Sequence, residues 1–471
     1  MRQLIFSASF GVIFIMSLIT DAYGFLGISL LALLLLLILY KMGRGIVLLE
    51  VTAILYVLTC VIMPLIGYEY YSYNDPLSKL WVRYMPVKPA IYFPYTLPAV
   101  AGFCLAITLP PLKKQLPDEG LVLQDTVRRI RMRLLSDPYK GIRIMIVGSL
   151  ISLITKLLPD ALNYFAILFF FGSFAGLLYV LYSTSFRYKN AVIVLFMIFI
   201  MINALQTGMF TIVAYMGITI FSFFQLGKNI SILKKAFFLV ATIAIFIVLQ
   251  NVKMAYRKNT WNKTFEGSRT ELFSDLVLAN VNKGDALLDK KALFPLYSRT
   301  NQGYQVAMVM HRIPLIKPYD GGERLLTVFA SAFVPRFLWP DKPEAGGKFN
   351  MKYYAGFDIN GWSTNVGPLG EAYGSFGSAG GIVYMILLGL FLRWAYFRVF
   401  ALARKNALLI CWLPVLFYQI TSSAETDTLQ ILNSIIKSSF FIWLLSKFLP
   451  RWFGIVREEV IRRMPVKEVP A

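Results

Sequence analysis

Apolar and polar positions along this chain come in blocks. Apolar runs cover residues 4–20, 25–40, 45–67, 93–112, 142–158, 164–182, 191–205, 208–225 and 236–250, and three more follow at 381–400, 407–423 and 435–449. About 20 apolar residues at 1.5 Å rise each cross the roughly 30 Å of a bilayer core, where a backbone must satisfy its own hydrogen bonds and so becomes helical. The pattern predicts an all-α polytopic membrane protein with about 12 transmembrane helices. The first run leads straight into the second, which reads as a retained span and not a cleaved leader.

Every second connection between the runs is basic: Lys41 with Arg44, Lys113 and Lys114 with the VRRIRMR stretch, Arg187 with Lys189, Lys228 with Lys234 and Lys235, and Arg398 with Arg404 and Lys405. The alternate short connections, 21–24, 159–163, 206–207 and 425–428, hold no Lys or Arg. The positive-inside rule puts the basic set and both termini in the cytoplasm. Residues 251–380 then form one large outer loop, preceded by nine spans within 1–250, with a shorter outer segment at 68–92. Three spans follow within 381–450, and 451–471 is a basic tail whose RWFGIVREEVIRR stretch predicts an interfacial helix.

Within the large loop, 270–296 has helical spacing of Leu and Val between charges, and predicts an amphipathic surface helix. Residues 325–333 are apolar but too short to cross, and predict a re-entrant or interfacial helix ahead of PRFLWPDKP. The tyrosines and tryptophan of 68–92 read either as an interfacial belt or as a surface on which sugars stack.

Composition agrees with this outline: 57% hydrophobic and only 15% charged residues, with mean hydropathy +0.63, exclude an ordinary soluble domain. The net charge of +22 is spread in short clusters between apolar runs, which marks topology and not a nucleic-acid surface. Cys60, Cys104 and Cys411 all lie in apolar runs, and His311 is the sole histidine, so neither a disulfide framework nor a multi-histidine metal site is expected.

The loop concentrates the residues able to do chemistry. Three prolines in PRFLWPDKP brace Arg336, Trp339 and Lys342, two fixed cations and an indole. Such cations suit phosphate, whether on a substrate or on lipid head groups at the bilayer edge. Glu371 lies among the glycines of STNVGPLGEAYGSFGSAGG, whose spacing allows close helix approach. It reads either as a general base with a raised pKa or as an ion-pair partner that fixes the loop. Arg299 in LYSRTNQGY and Arg324 in GGER are further polar candidates, with Tyr297 and Tyr304 able to stack on sugar faces. Asp21, in the first outer connection, reads as a helix-end residue or as an outlying acid.

Together with the topology, SRTNQGY around Arg299, the PRFLWPDKP turn and GPLGEAYGSFG resemble the Wzy-type O-antigen and exopolysaccharide polymerases. The resemblance covers the whole chain in architecture and roughly 297–381 in sequence. It implies a C-type glycosyltransferase of the bacterial inner membrane with its large loop in the periplasm. Such an enzyme moves a growing chain from undecaprenyl pyrophosphate onto the non-reducing sugar of another lipid-linked repeat unit, without metal or cofactor. Its implied partners are the lipid-linked oligosaccharide, membrane lipid and a chain-length regulator, with no nucleic acid.

Under this resemblance Arg299 and Arg336 act on the pyrophosphate, with Lys342 third, and Arg324 is a further substrate-binding candidate. Glu371 is the base, with Asp21 the outside candidate, and Trp339, Tyr304 and Tyr373 are sugar platforms. An O-antigen ligase shares the donor. A lipid-linked oligosaccharide flippase shares the span count, but places charges within its helices and often shows two similar halves.

Overall fold

The computed structural model describes residues 2–109, 119–154, 160–207, 211–260, 267–282, 289–334, 336, 338–359 and 364–454. Among these residues the secondary structure is helical, with no strand. The first half contains α1 (Arg2–Ile19), α2 (Tyr23–Lys41) and α3 (Leu48–Val57), which passes through a π-helical turn at Leu58–Ile62 into α4 (Met63–Glu69). Then come α5 (Pro76–Trp81), α6 (Pro89–Thr108), α7 (Glu119–Leu135), α8 (Lys140–Ile154), α9 (Asp160–Tyr182), α10 (Lys189–Thr207), α11 (Thr211–Gln225) and α12 (Ile232–Thr260). The large loop folds as α13 (Arg269–Val281), α14 (Lys290–Thr300), α15 (Gly303–Arg312), α16 (Glu323–Phe333) and α17 (Gly347–Asn350). The chain finishes with α18 (Gly367–Ala403), α19 (Leu413–Phe417), α20 (Thr428–Phe448) and α21 (Pro450–Phe453).

Among the described residues, eight helical segments are long and apolar enough to cross a membrane: Tyr23–Lys41, Leu48–Glu69, Pro89–Thr108, Tyr164–Tyr182, Lys189–Gln206, Ile232–Thr260, Gly367–Ala403 and Thr428–Phe448. Leu4–Ile19, Met216–Gln225 and Ala407–Phe417 are shorter apolar helices. The 407–423 run differs most from a simple span. It starts as a 3-10 helix, Ala407–Trp412, continues through the five residues of α19, and then turns irregularly before α20. That irregular backbone is enclosed by protein, with Ser423 and Asp427 buried, which is where non-helical chain at membrane depth is tolerated.

The core is centred on α6 and α18. Both carry small residues where they meet, and a Cβ at Gly381 would come within 2.6 Å of the Tyr95 ring. Tyr95 in turn donates from its hydroxyl to the carbonyl of Leu369 at 2.6 Å. The three cysteines are buried and unpaired.

Helices also run past both ends of the 251–380 loop. α12 continues to Thr260, and α18 begins at Gly367, so the glycine-rich GPLGEAYGSFG stretch is helical. Glycine is a poor helix former, but here tight burial of nearly every residue of the first turns outweighs propensity. The helix breaks at Gly377, whose φ of 69° and ψ of −164° lie in a region open essentially to glycine alone.

The apolar positions of 270–296 form two helices, α13 and α14, with 283–288 between them outside the described residues. α13 lays Leu272, Phe273, Leu276 and Val277 on Val252 and Tyr256 of α12. α16 packs Val328 and Ala332 on Leu429 and Leu432 of α20, and leaves Leu326 and Phe333 exposed on its far side. The predicted tail helix falls mostly on 455–471, outside the described residues.

Candidate functional site

The 68–92 segment and the 251–380 loop are joined to each other. Asp75 caps α5 by accepting from the amides of Leu77 and Ser78, with Pro76 at the first helical position, and also pairs with Lys290 at the start of α14 at 2.6 Å. Tyr71 stacks on Tyr297 of α14 at 4.4 Å between ring centroids and donates to the carbonyl of Lys290. Tyr71 therefore serves as an interlock with α14. α14 leads directly into α15, whose first turn is set by the Asn301 side chain accepting from the amide of Tyr304.

Between these segments and the irregular turn before α20 lies a cavity of about 610 Å³. Arg83, Lys291 and Arg299 supply positive charge to its wall, and Glu425 supplies the negative charge. Gln302, Gln305, Asn365 and Gln430 add amides, and Trp81 adds an indole. Lys253 and Arg257 of α12 lie within electrostatic range of Arg299, and Lys253 also within range of Glu425. Arg299 is exposed and has no ion-pair partner among the described residues. The arrangement offers several fixed cations, one half-buried carboxylate, amides and a ring in a volume typical of small-molecule sites.

Behind this cavity sits a buried polar network. Glu371, 1% exposed, accepts from Asn350 Nδ2 at 2.7 Å on one oxygen, and from the amide and hydroxyl of Thr428 at 2.9 and 2.5 Å on the other. Asp427 caps α20 by accepting from the Gln430 amide, and also accepts from the Gly346 amide and Asn365 Nδ2. Burial nevertheless holds the Asp427 carboxyl above the usual range. Asn365 ties the network to the cavity, because its carbonyl accepts from Gln302 Nε2 at 2.6 Å.

The other sequence-predicted residues are dispersed. Arg324 stacks on Phe349 at 3.8 Å and lies in the field of Glu371 and Asp427, with its Nε buried and without a hydrogen bond. Arg336 is exposed, donates to the carbonyl of Pro340 and pairs with the still more exposed Glu344 at 3.5 Å. Lys342 donates to the carbonyls of Ser331 and Val334, which close the C-terminal end of α16. Trp339 is half-buried in the same turn. Tyr373 is buried between Tyr95 and Tyr319. Asp21 is exposed at the junction of α1 and α2, where it accepts from the Tyr23 hydroxyl at 2.6 Å. Tyr304 lines a separate cavity on the far side of α15.

Of the predicted set, then, only Arg299 lines the larger cavity. Glu425, Arg83 and Lys291 join it there without having been singled out by sequence. Glu425 has only one local signal, a carboxylate that shares with Asp427 a short connection carrying no Lys or Arg.

Residues 125–449 match the family described as a domain of unknown function, DUF8712, and with well over half of the chain covered the protein belongs to that family. No curated protein and no solved structure matches it.

Proposed function

We propose that this member of the DUF8712 family is a bacterial inner-membrane glycosyltransferase of the polysaccharide-polymerase kind, with about 12 spans, cytoplasmic termini and its large loop in the periplasm. It transfers a glycan from undecaprenyl pyrophosphate onto the non-reducing end of a second lipid-linked repeat unit. One observation carries the reading: Arg83, Lys291 and Arg299 line a single cavity with Glu425 as the carboxylate among them.

The chemistry asks for that combination. An acceptor hydroxyl forms the new bond to the anomeric carbon while the bond from that carbon to the pyrophosphate oxygen breaks, and the electron pair leaves with the pyrophosphate. Charge builds on the leaving group, and preorganised cations aimed at it contribute on the order of 10²- to 10³-fold each. The hydroxyl proton passes to a base, the role assigned to Glu425 as the cavity's carboxylate, at a further 10²- to 10⁴-fold. Glu371 is assigned a scaffolding role, because both of its oxygens already accept hydrogen bonds inside the protein.

The test is reconstitution with an undecaprenyl-pyrophosphate repeat unit of defined structure. Elongation of that substrate alone supports the polymerase. Transfer only after a lipid A core acceptor is added converts the reading to a ligase, and no transfer to either acceptor overturns it.

A further inference from the structure

Helix α15 is a partition. Gln302, just before it, and Gln305 face the larger cavity, whereas Tyr304, Met308, His311 and Arg312 line a second cavity of about 400 Å³. Positions 304, 308, 311 and 312 follow one stripe of a helix, so the second cavity is presented by a single face of α15. The neighbouring outer segment adds Tyr84. Arg83 links the two spaces: it lines the larger cavity, and its guanidinium stands 5.0 Å from the centroid of the Tyr304 ring.

Arg312 sets the character of the second cavity. Its Nε is shielded from solvent and makes no hydrogen bond, and the side chain has no ion-pair partner among the described residues. That Nε has no surface open to the cavity, so what the cavity meets is the charge of the guanidinium as a whole, which is kept at any physiological pH and favours an anionic ligand. The backbone opposite is shaped to admit it. Gly356 has φ of 70°, and a Cβ there would fall on the Arg312 guanidinium, so both conformation and space require glycine.

We infer that this second cavity is a subsite for one acidic sugar residue, with Arg312 binding its carboxylate and Tyr84 and Tyr304 bordering the ring. The inference rests on the reading of the larger cavity as the place of glycosyl transfer, and names the kind of sugar that lies across the α15 partition from it. The charge count separates the two ligands. Three cations around the larger cavity suit a pyrophosphate, and the single guanidinium lining the second suits one carboxylate. Tyrosine rings beside a lone guanidinium favour a sugar acid over a bare phosphate.

The full chain in nanodiscs, with no lipid pyrophosphate present, is titrated with a glucuronic-acid-terminated oligosaccharide and with its carboxyl-reduced counterpart. The acid is expected to bind about tenfold more tightly, the difference of one charge-assisted contact. Arg312→Gln abolishes that preference and Arg312→Lys restores part of it. Equal affinity of wild type for the two sugars, or no saturable binding of either, overturns the subsite whether or not the variants fold. The titration contains no transfer step, so it stands apart from reconstitution: a polymerase without acid preference sinks only the subsite, and an acid-binding protein without transfer sinks only the polymerase.

Discussion

One carboxylate oxygen of Glu371 holds both the amide and the hydroxyl of Thr428, and so fastens the buried first turn of α18 to the first turn of α20. Replacing it with Ala strands the Thr428 amide in a site closed to water, and leaves the Thr428 hydroxyl only Tyr384 and the Asn350 amide only a long contact to Asn365. At about 1–3 kcal/mol for each buried donor left unsatisfied, the loss is large for a marginally stable fold. Glu371→Ala should lower the melting temperature in detergent by many degrees, whereas the remaining folded protein keeps its turnover. A stable Glu371→Ala protein without turnover would reverse the scaffolding assignment.

Arg299 and Glu425 should behave in the opposite way. Both line the larger cavity and neither is fully buried, so their removal leaves packing intact. Arg299→Gln is expected to reduce glycosyl transfer about 10²- to 10³-fold, and Glu425→Gln by about 10²-fold or more, each melting like wild type. Transfer at wild-type rates in both would exclude the cavity as the reaction site.

The two cations of the PRFLWPDKP turn are predicted to separate. Arg336 is held only in an exposed pair with Glu344, an arrangement that contributes little in water. Arg336→Ala should therefore leave both stability and turnover close to wild type. Lys342 closes the end of α16 through two carbonyls, and Lys342→Met should destabilise by about 1–2 kcal/mol, read from a denaturation midpoint.

At Gly377 an added Cβ meets the Tyr319 ring at 3.2 Å, and the backbone occupies a conformation that costs other residues about 1–3 kcal/mol. Gly377→Ala should straighten the break or lower stability by that amount. Unchanged melting with an unchanged structure would contradict the strain.

Asp427 gives a pH signature. Burial places its folded-state pKa above its unfolded value, so the folded protein binds the extra proton. The stability this contributes is complete below the unfolded pKa of about 3.9 and is lost as pH rises through the folded value. Wild-type melting should fall relative to Asp427→Asn across that window. Parallel pH profiles for the two proteins would refute the shift.

The apolar runs were legible because bilayer-length hydrophobic stretches leave a backbone little choice but helix. The 407–423 run misled as to form, because its 3-10 turns and irregular end depend on enclosure by neighbouring helices, which local composition does not encode. α16 was visible from its apolar spacing, but the capping role of Lys342 depends on the loop folding back. Arg299 stood out by its motif. Glu425, Arg83 and Lys291 come from three separate segments and meet only through tertiary packing, so no spacing rule selects them.

The Tyr71–Tyr297 stack and the Asp75–Lys290 pair join residues more than 200 positions apart. During synthesis, the segment bearing Arg83 therefore emerges long before the helix that holds it, and waits without its clamp until α14 arrives. Glu425 comes later still. A chain that ends before residue 425 lacks the one carboxylate that lines the larger cavity, so the lining described above is complete only when most of the sequence has been made.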